Sequence, residues 1–152
     1  MSERARITRH QLLMDVAIAA AKRSTCLRLQ VGAVIGVNGR VISVGYNGAP
    51  SGVSHCTPEI CGPDKPCTRA VHAEANAIAW AARQGLATGQ HYLYTTVSPC
   101  LDCSKLILSA GIAVVIFKDE YRDLTPLIYL ENAGCITYRI DVNGNIYRSC
   151  EE

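Results

Sequence analysis

The chain has 152 residues, 49% of them apolar, and a formal net charge of +2. This length and apolar content suit a single domain with a core of ordinary size. With 18% charged residues and so small a net charge, the composition has neither a basic stripe nor an acidic tail. It therefore argues against partners recognised by bulk charge, such as nucleic acids and membrane surfaces, and favours a small molecule.

A helix and a β-hairpin are predicted first along the chain. Residues 10–23 carry apolar side chains at helical spacing after Thr8, which is a candidate N-cap. Two β-branched runs then flank Asn38 and Gly39, a pair typical of the type I′ turn of a hairpin. The predicted strands cover about 31–37 and 40–46.

An irregular loop is predicted over residues 47–68. It holds four of the six prolines together with three glycines and three cysteines, a composition that disfavours regular structure. A loop of this length needs another restraint to become ordered.

The rest of the chain alternates between helical and strand patterns. This alternation predicts an α/β fold in which the later strands are largely parallel. The stretch "DVNGNIY", which begins at Asp141, fits either a further small hairpin or a loose tail. The predicted elements are a helix over 70–84, a strand over 91–96, a helix over 100–110, a strand over 112–117, a helix over 124–133 and a strand over 135–140.

The predicted location of the protein bears on its eight cysteines. The apolar run at 16–21 is too short for a secretory signal or a membrane span, which predicts a cytoplasmic protein. Disulfide frameworks are rare in that compartment. The cysteines therefore indicate metal binding or thiolate chemistry.

The first chemical motif is "SPCLDC" at 98–103. Cys100 and Cys103 lie one helical turn apart at the start of a predicted helix, so both sulfurs can reach one ion. The partial positive charge at a helix N-terminus also lowers the pKa of a thiol. Taken alone, the pair fits a redox couple or two buried thiols equally well.

The second motif is "HAE" at 72–74, also at a helix start. His72 would complete a set of three ligands with the two cysteines and leave the fourth zinc position open, as in catalytic zinc sites. Glu74 does not share a helical face with His72 and fits an acid/base group. A single histidine or glutamate at a helix start more often caps the helix or interacts favourably with the helix dipole. Together, HxE and PCxxC form the signature of zinc deaminases.

Five blocks of sequence widen this match. With them the chain resembles the cytidine deaminase superfamily and, more narrowly, the deoxycytidylate (dCMP) deaminases along nearly its whole length. The resemblance implies one domain over 1–152, folded as a three-layer α/β/α sandwich whose mixed sheet of about five strands opens with a β-hairpin. The blocks are "RSTCLRLQVGAVI" at 23–35, "GYNGAPSG" at 45–52, "HAEANAI" at 72–78, "SPCLDC" at 98–103 and "YRD" at 121–123.

The resemblance also implies an activity and a catalytic metal. Zinc would be held by His72, Cys100 and Cys103, and Glu74 would carry protons during the hydrolytic deamination of dCMP at C4. The products would be ammonia and dUMP, the latter for thymidylate synthesis.

The implied substrate contacts lie on three parts of the chain. The backbone of Ala73 and the carbonyl group of Ser98 would hold the base edge, and Asn47 would hold the sugar hydroxyl. Asn47 is also a common turn residue. Arg28 and Arg122 fit solvated surface charges equally well. The candidates for the phosphate end are Arg28, Tyr121 and Arg122.

Four further cysteines suggest a second zinc site. Some dCMP deaminases that resemble this chain carry a structural zinc, and a closed four-sulfur site would pin the irregular loop to the body. His55 is an alternative to one sulfur, and the alternative to a metal site is that two or three of these residues are buried or free thiols. Cys135 and Cys150 have no assigned role. The candidate ligands are Cys26, Cys56, Cys61 and Cys67.

Assembly and regulation are expected from the resemblance alone. It implies a hexamer that is activated by dCTP and inhibited by dTTP. The glycine-rich loop at 45–52 allows the backbone to approach a triphosphate closely, which makes Gly48 and Ala49 candidates for effector binding.

Three rival functions are left open. A tRNA adenosine deaminase shares both motifs but needs a basic surface and stacking aromatic residues, whereas this chain has a single Phe and a single Trp. Deaminases of free cytidine, of riboflavin precursors or of antibiotics also share the motifs. A non-catalytic zinc-stabilised binding module would have no use for Glu74 beside its metal.

Overall fold

The computed structural model describes residues 4–62, 64–65 and 67–150. In these ranges no helix is long and apolar enough to cross a membrane. The helices are α1 (Arg9–Ala21), α2 (Ala73–Arg83), α3 (Leu101–Ser109) and α4 (Thr125–Asn132). The strands are β1 (Gly32–Val37), β2 (Arg40–Tyr46), β3 (Tyr92–Val97), β4 (Val114–Asp119), β5 (Ile136–Ile140) and β6 (Ile146–Arg148).

The strands form one mixed sheet in the order β2-β1-β3-β4-β5-β6. β1 runs antiparallel to both β2 and β3, β3 to β5 are parallel, and β6 returns antiparallel to β5. The α/β fold with a parallel centre is therefore confirmed. The parallel strands end together at one edge of the sheet, and the loops that follow them share that edge.

The two ends of the sheet show how local sequence shapes it. Asn38 and Gly39 both have positive φ angles, 52° and 76°, as the predicted type I′ turn requires. At the other end, "DVNGNIY" forms a turn and a sixth strand, so the expected count of about five strands is low by one. Asp141 closes that turn by accepting hydrogen bonds from the backbone N–H groups of Asn143 and Asn145, at 2.8 and 2.9 Å.

Helices cover both faces of the sheet, which confirms the three-layer sandwich. Thr8 caps α1, whose Leu13, Met14 and Ala17 pack against one face. The other face packs against α2, α3 and α4 in a larger apolar cluster that includes Phe117. Burial of these two clusters is the main source of the stability of the fold.

The close packing of α2 against β2 matters most for the functional site. A Cβ atom at Gly45 would lie 2.2 Å from the carbonyl oxygen of Ala73 and 2.5 Å from the backbone nitrogen of Ala77. Only glycine lets the helix approach the strand so closely. The buried hydroxyl of Ser43 donates a hydrogen bond to the carbonyl oxygen of Ala77 at 2.7 Å. The start of α2 is thereby fixed relative to the sheet.

Candidate active site

Three metal-type ligands meet between α2 and α3. The Nδ1 atom of His72 lies 3.4 Å from the Sγ atom of Cys100 and 3.5 Å from that of Cys103. All the candidate ligand atoms of the three residues lie within 4.8 Å of one another. We call this set the histidine–cysteine cluster.

Two helix starts build the cluster. His72 and Cys100 are the N-caps of α2 and α3, and both have extended backbone. Cys103 lies in the first turn of α3, where its backbone N–H donates to the Sγ atom of Cys100 at 3.5 Å. Both helix N-termini therefore direct their partial positive charge at the cluster, which stabilises thiolates there.

The donor set and its spacing fit zinc. Zinc binds sulfur at about 2.3 Å and imidazole nitrogen at about 2.0–2.1 Å, so tetrahedral geometry separates a nitrogen from a sulfur ligand by about 3.6 Å. The observed 3.4 and 3.5 Å agree with that separation. With three protein ligands, a tetrahedral ion keeps one open position.

The pKa values of the two thiols are shifted in opposite directions. Hydrogen bonds with Cys103 and then with His72 lower the pKa of Cys100 to about 4. The hydrogen bond with Cys100, together with burial, raises the pKa of Cys103. A zinc ion bound here would hold both sulfurs as thiolates, so its binding would release protons from the pair.

Glu74 lies beside this cluster inside the protein. Its side chain is only 4% exposed, and its Oε2 atom accepts a hydrogen bond from the thiol of Cys103 at 3.6 Å. Burial raises the pKa of this carboxyl group. A carboxyl group that takes up a proton more readily than usual is suited to transfer protons at neutral pH.

The residues expected at the base edge adjoin ligands of the cluster along the chain, with Ala73 directly after His72 and Ser98 two residues before Cys100. Ser98 is buried at the end of β3, where its Oγ atom accepts a hydrogen bond from the backbone N–H of Tyr121 at 2.7 Å and its own N–H donates to Asp119 at 2.9 Å. Ala73 is the first residue of α2, so its N–H is one of those that have no acceptor within the helix.

Asn47 joins the loop that follows β2 to the loop that precedes β1. Its Oδ1 atom accepts from the backbone N–H of Val31 at 2.8 Å, and its Nδ2 atom donates to the carbonyl oxygen of Leu29 at 2.6 Å. The side chain keeps one N–H and one lone pair for a further partner. A sugar hydroxyl would use both, although the residue as a whole is only 7% exposed.

The phosphate candidates fall in two places. The Nη1 atom of Arg28 donates to the carbonyl oxygen of Lys65 at 3.4 Å, and Arg28 borders a cavity of about 590 Å³ beside the irregular loop. Tyr121 and Arg122 are exposed on the connection from β4 to α4, next to Ser98. The role of each at a phosphate stays a prediction.

Three of the four other candidate ligands form a second group, which we call the cysteine cluster. The Sγ atom of Cys67 lies 3.4 Å from that of Cys56 and 3.2 Å from that of Cys61. Cys26 lies outside this group. The hydrogen bond with Cys67 is the largest cause of the raised pKa of Cys61. His55 is exposed and also lies outside it.

The remaining sequence candidates take other positions. Both backbone polar groups of Gly48 are hydrogen-bonded to Val71, and Ala49 is half-buried beside them, so effector binding at this pair stays a prediction. Cys135 is buried and Cys150 is exposed, and neither belongs to a ligand group among the described residues.

Several residues that support the site had not been singled out from the sequence. Gly45 and Ser43 seat α2, and the Nδ2 atom of Asn76 donates to the carbonyl oxygen of Tyr46 at 2.9 Å. Asn76 is the one residue of these three that the sequence could have indicated, because it lies in an alanine-rich helix and a buried polar side chain needs a hydrogen-bond partner.

Comparisons with known proteins show the family of this chain. Residues 7–119 match the family described as the cytidine and deoxycytidylate deaminase zinc-binding region. The matched range contains the whole histidine–cysteine cluster and Glu74. The chain belongs to this deaminase family.

Individual relatives show how far the similarity extends. ComE operon protein 2 of Bacillus subtilis is 42% identical over 118 residues, which cover 77% of this chain and 62% of that protein. The deoxycytidylate deaminase of Mycobacterium phage D29 is 39% identical over 122 residues, or 72% of this chain and 94% of the phage protein. This chain therefore matches less than two thirds of the Bacillus protein but nearly all of the phage enzyme.

A solved structure shares the fold. The dCMP deaminase of cyanophage S-TIM5, crystallised with dCMP and dUMP, superposes with a TM-score of 0.79 at 32% identity. The match covers 86% of this chain and 95% of the phage chain.

Proposed function

We propose that this protein is a zinc-dependent enzyme, built as a single domain on the one sheet, that hydrolyses dCMP to dUMP and ammonia. The observation that carries the proposal is the buried carboxyl group of Glu74 against a three-ligand cluster. A closed structural metal site has no use for such a group, whereas hydrolytic deamination requires one.

His72, Cys100 and Cys103 are the residues that would hold the zinc ion. When bound there, zinc supplies the positive charge that lowers the pKa of water towards about 7.

Glu74 performs the proton transfers. Its carboxylate accepts a proton from the water that attacks C4 of the cytosine ring and delivers it to N3. A second proton passes from the new hydroxyl group on C4 to the exocyclic amine, so that the C4–N bond breaks, ammonia leaves and the C4 carbonyl group of uracil forms. Burial of Glu74 keeps bulk water away from this proton relay.

Backbone groups and four side chains orient the substrate in this proposal. The N–H of Ala73 and the carbonyl group of Ser98 bind the amide-like edge of the base, and Asn47 binds the sugar. Arg28, Tyr121 and Arg122 are assigned to the 5′-phosphate. The names of the phage relatives and the dCMP and dUMP in the cyanophage structure support a nucleotide monophosphate as the substrate.

Ammonia release from zinc-loaded protein tests this proposal. We expect turnover of dCMP and much weaker turnover of deoxycytidine, dCTP and a tRNA anticodon stem-loop. Preference for another of these substrates would keep the deaminase chemistry and overturn the assignment of dCMP. No turnover of any of them with zinc bound would favour a non-catalytic zinc-binding module.

We further propose that the cysteine cluster binds a structural zinc, with Cys26 as the fourth ligand. Three sulfurs already lie close together. Leu27 and Arg28, which directly follow Cys26, line the same cavity as Cys61. Zinc analysis should then give two ions per chain, and one ion per chain would overturn this part of the proposal.

A hexamer is the proposed assembly. The helix layer formed by α2, α3 and α4 has large apolar side chains on its outer surface, which copies of the chain would bury. Light scattering should give six times the chain mass. The exposed side chains are Trp80, Leu101, Leu106, Ile128 and Tyr129.

Regulation by dCTP and dTTP completes the proposal. Gly48 and Ala49 are the candidate effector contacts, and they adjoin Asn47, so an effector there would act on the sugar contact. We expect dCTP to make dCMP saturation steeper and dTTP to suppress it. Saturation curves that neither nucleotide changes would remove this part of the proposal.

A further inference from the structure

The segment that leads to His72 begins at the cysteine cluster. Cys67 precedes His72 by five residues, and its Sγ atom accepts a hydrogen bond from the backbone N–H of Ala70 at 3.3 Å. This bond curves the chain around the sulfur. The position of Cys67 therefore determines the direction in which the chain approaches the active site.

One backbone pair then ties this segment to the loop that carries Asn47. The N–H of Val71 donates to the carbonyl oxygen of Gly48 at 2.8 Å, and the N–H of Gly48 donates to that of Val71 at 3.1 Å. The pair is an isolated bridge outside the six strands. Its two residues directly precede His72 and directly follow Asn47.

His72 depends on this pair more than Asn47 does. It lies just before α2 with extended backbone, at φ −67° and ψ 153°, and its side chain makes no capping hydrogen bond. Its carbonyl oxygen accepts from Asn76, but the ring projects from outside the helix. Asn47 is also held by Val31 and Leu29.

We propose that the cysteine cluster positions His72 for metal binding in the active site and acts through the backbone pair between Val71 and Gly48. This inference rests on the proposed function, since it takes His72 as a ligand of the catalytic zinc. Groups that orient a metal ligand from outside the coordination sphere typically change metal affinity about 10-fold to 100-fold. The cysteine cluster would therefore have a role beyond holding its own loop.

The test compares Cys61→Ser with Cys150→Ser, a matched change at an exposed cysteine outside both clusters. Competition with a chelator measures the zinc affinity of the histidine–cysteine cluster, and hydrogen exchange measures the protection of individual amides. In Cys61→Ser we expect zinc affinity to fall about 10-fold to 100-fold and the amides of Val71 and Gly48 to exchange faster. The amides of Ala77 and Ala81 within α2 should keep their protection, and Cys150→Ser should match the parent protein.

A second variant separates the backbone pair from the sulfurs. Val71→Pro removes the N–H that donates to Gly48 and leaves every cysteine in place. It should lower the zinc affinity of the histidine–cysteine cluster while the cysteine cluster keeps its own zinc. If Cys61→Ser also loses the hydrogen-exchange protection of α2, the zinc affinity of Val71→Pro alone tests the inference.

Unchanged zinc affinity at the histidine–cysteine cluster, in Cys61→Ser with α2 still protected or in Val71→Pro, would overturn the inference. Neither measurement depends on turnover. A failure to deaminate dCMP would therefore contradict the proposed function without being mistaken for a failure of this inference.

Discussion

The two ligand clusters are built in different ways. The histidine–cysteine cluster lies on the first residues of two helices that pack on the sheet, and a buried carboxyl group adjoins it. The cysteine cluster lies in an irregular loop and consists of sulfurs only. Its sulfurs are 3.2 and 3.4 Å apart, closer than the about 3.8 Å of a tetrahedral zinc–sulfur site, so they would move apart on binding zinc.

This difference indicates a division of labour. A cluster on rigid elements, with an open metal position and an acid/base group beside it, is arranged for chemistry. In the proposed function, zinc bound to the cysteine cluster stabilises a loop that lacks a hydrophobic core of its own. Five substitutions test this division and are given in decreasing order of their expected effect.

Glu74→Gln should have the largest effect. The amide cannot accept and deliver the proton, so turnover of dCMP should fall by about 100-fold to 10,000-fold while the zinc content stays the same. Asp102→Asn is the matched control, because Asp102 is an exposed carboxylate at the start of α3. Loss of zinc in Glu74→Gln would mean that Glu74 is a ligand and that its assigned role is wrong.

Cys100→Ser and Cys56→Ser should separate the two clusters when zinc is in excess. Cys100→Ser should lower turnover because one ligand to the zinc ion is weakened, whereas Cys56→Ser should retain turnover and lower the melting temperature. If zinc affinity falls 10-fold to 100-fold at the cysteine cluster, about 1.4–2.8 kcal/mol of stability is lost, or roughly 3–11 °C. Calorimetry beside the activity assay checks this, and equal loss of turnover in both variants would contradict separate roles.

Gly45→Ala should disturb the histidine–cysteine cluster through the fold. The added Cβ would meet backbone atoms of Ala73 and Ala77, so α2 must move away from β2 at a cost of about 1–3 kcal/mol. We expect lower thermal stability and weaker zinc binding. Gly89→Ala is the control, because no atom lies within 4 Å of a Cβ there. If Gly45→Ala is as stable as Gly89→Ala, α2 can move away from β2 without loss of stability, contrary to this prediction.

Arg122→Ala should have the smallest effect. An exposed charge that contacts phosphate contributes up to about 1 kcal/mol, so KM for dCMP should rise up to about 5-fold. KM for deoxycytidine, which lacks the phosphate, should not change. Arg28→Ala, on the side of the cysteine cluster, is measured in parallel. Equal effects on both substrates would remove these residues from phosphate binding.

Local sequence patterns predicted most of the fold and the outline of the site. The hairpin followed from Asn38 and Gly39, whose turn type depends on two backbone angles. The helix starts that carry His72 and Cys100 followed from motifs in which a few adjacent residues determine the chemistry. Such features depend on contacts close in sequence, which a single sequence records directly.

Features that depend on distant contacts were not predictable. The close fit of α2 at Gly45 depends on atoms about 30 residues away. The sequence left residues 141–147 open between a small hairpin and a loose tail, and a distant contact supports the hairpin, since the carbonyl oxygen of Gly144 accepts a hydrogen bond from Thr8 at 3.2 Å. The position of Cys26 outside the cysteine cluster depends on how two loops meet, which no spacing rule determines.

The proposed hydrolysis of dCMP can be followed directly by treating zinc-loaded protein with dCMP in ¹⁸O-labelled water and analysing the product by mass spectrometry. Hydrolytic deamination should give dUMP that carries one ¹⁸O atom from water, with one ammonia released for each dUMP. Unchanged dCMP with zinc bound in the active site would contradict it.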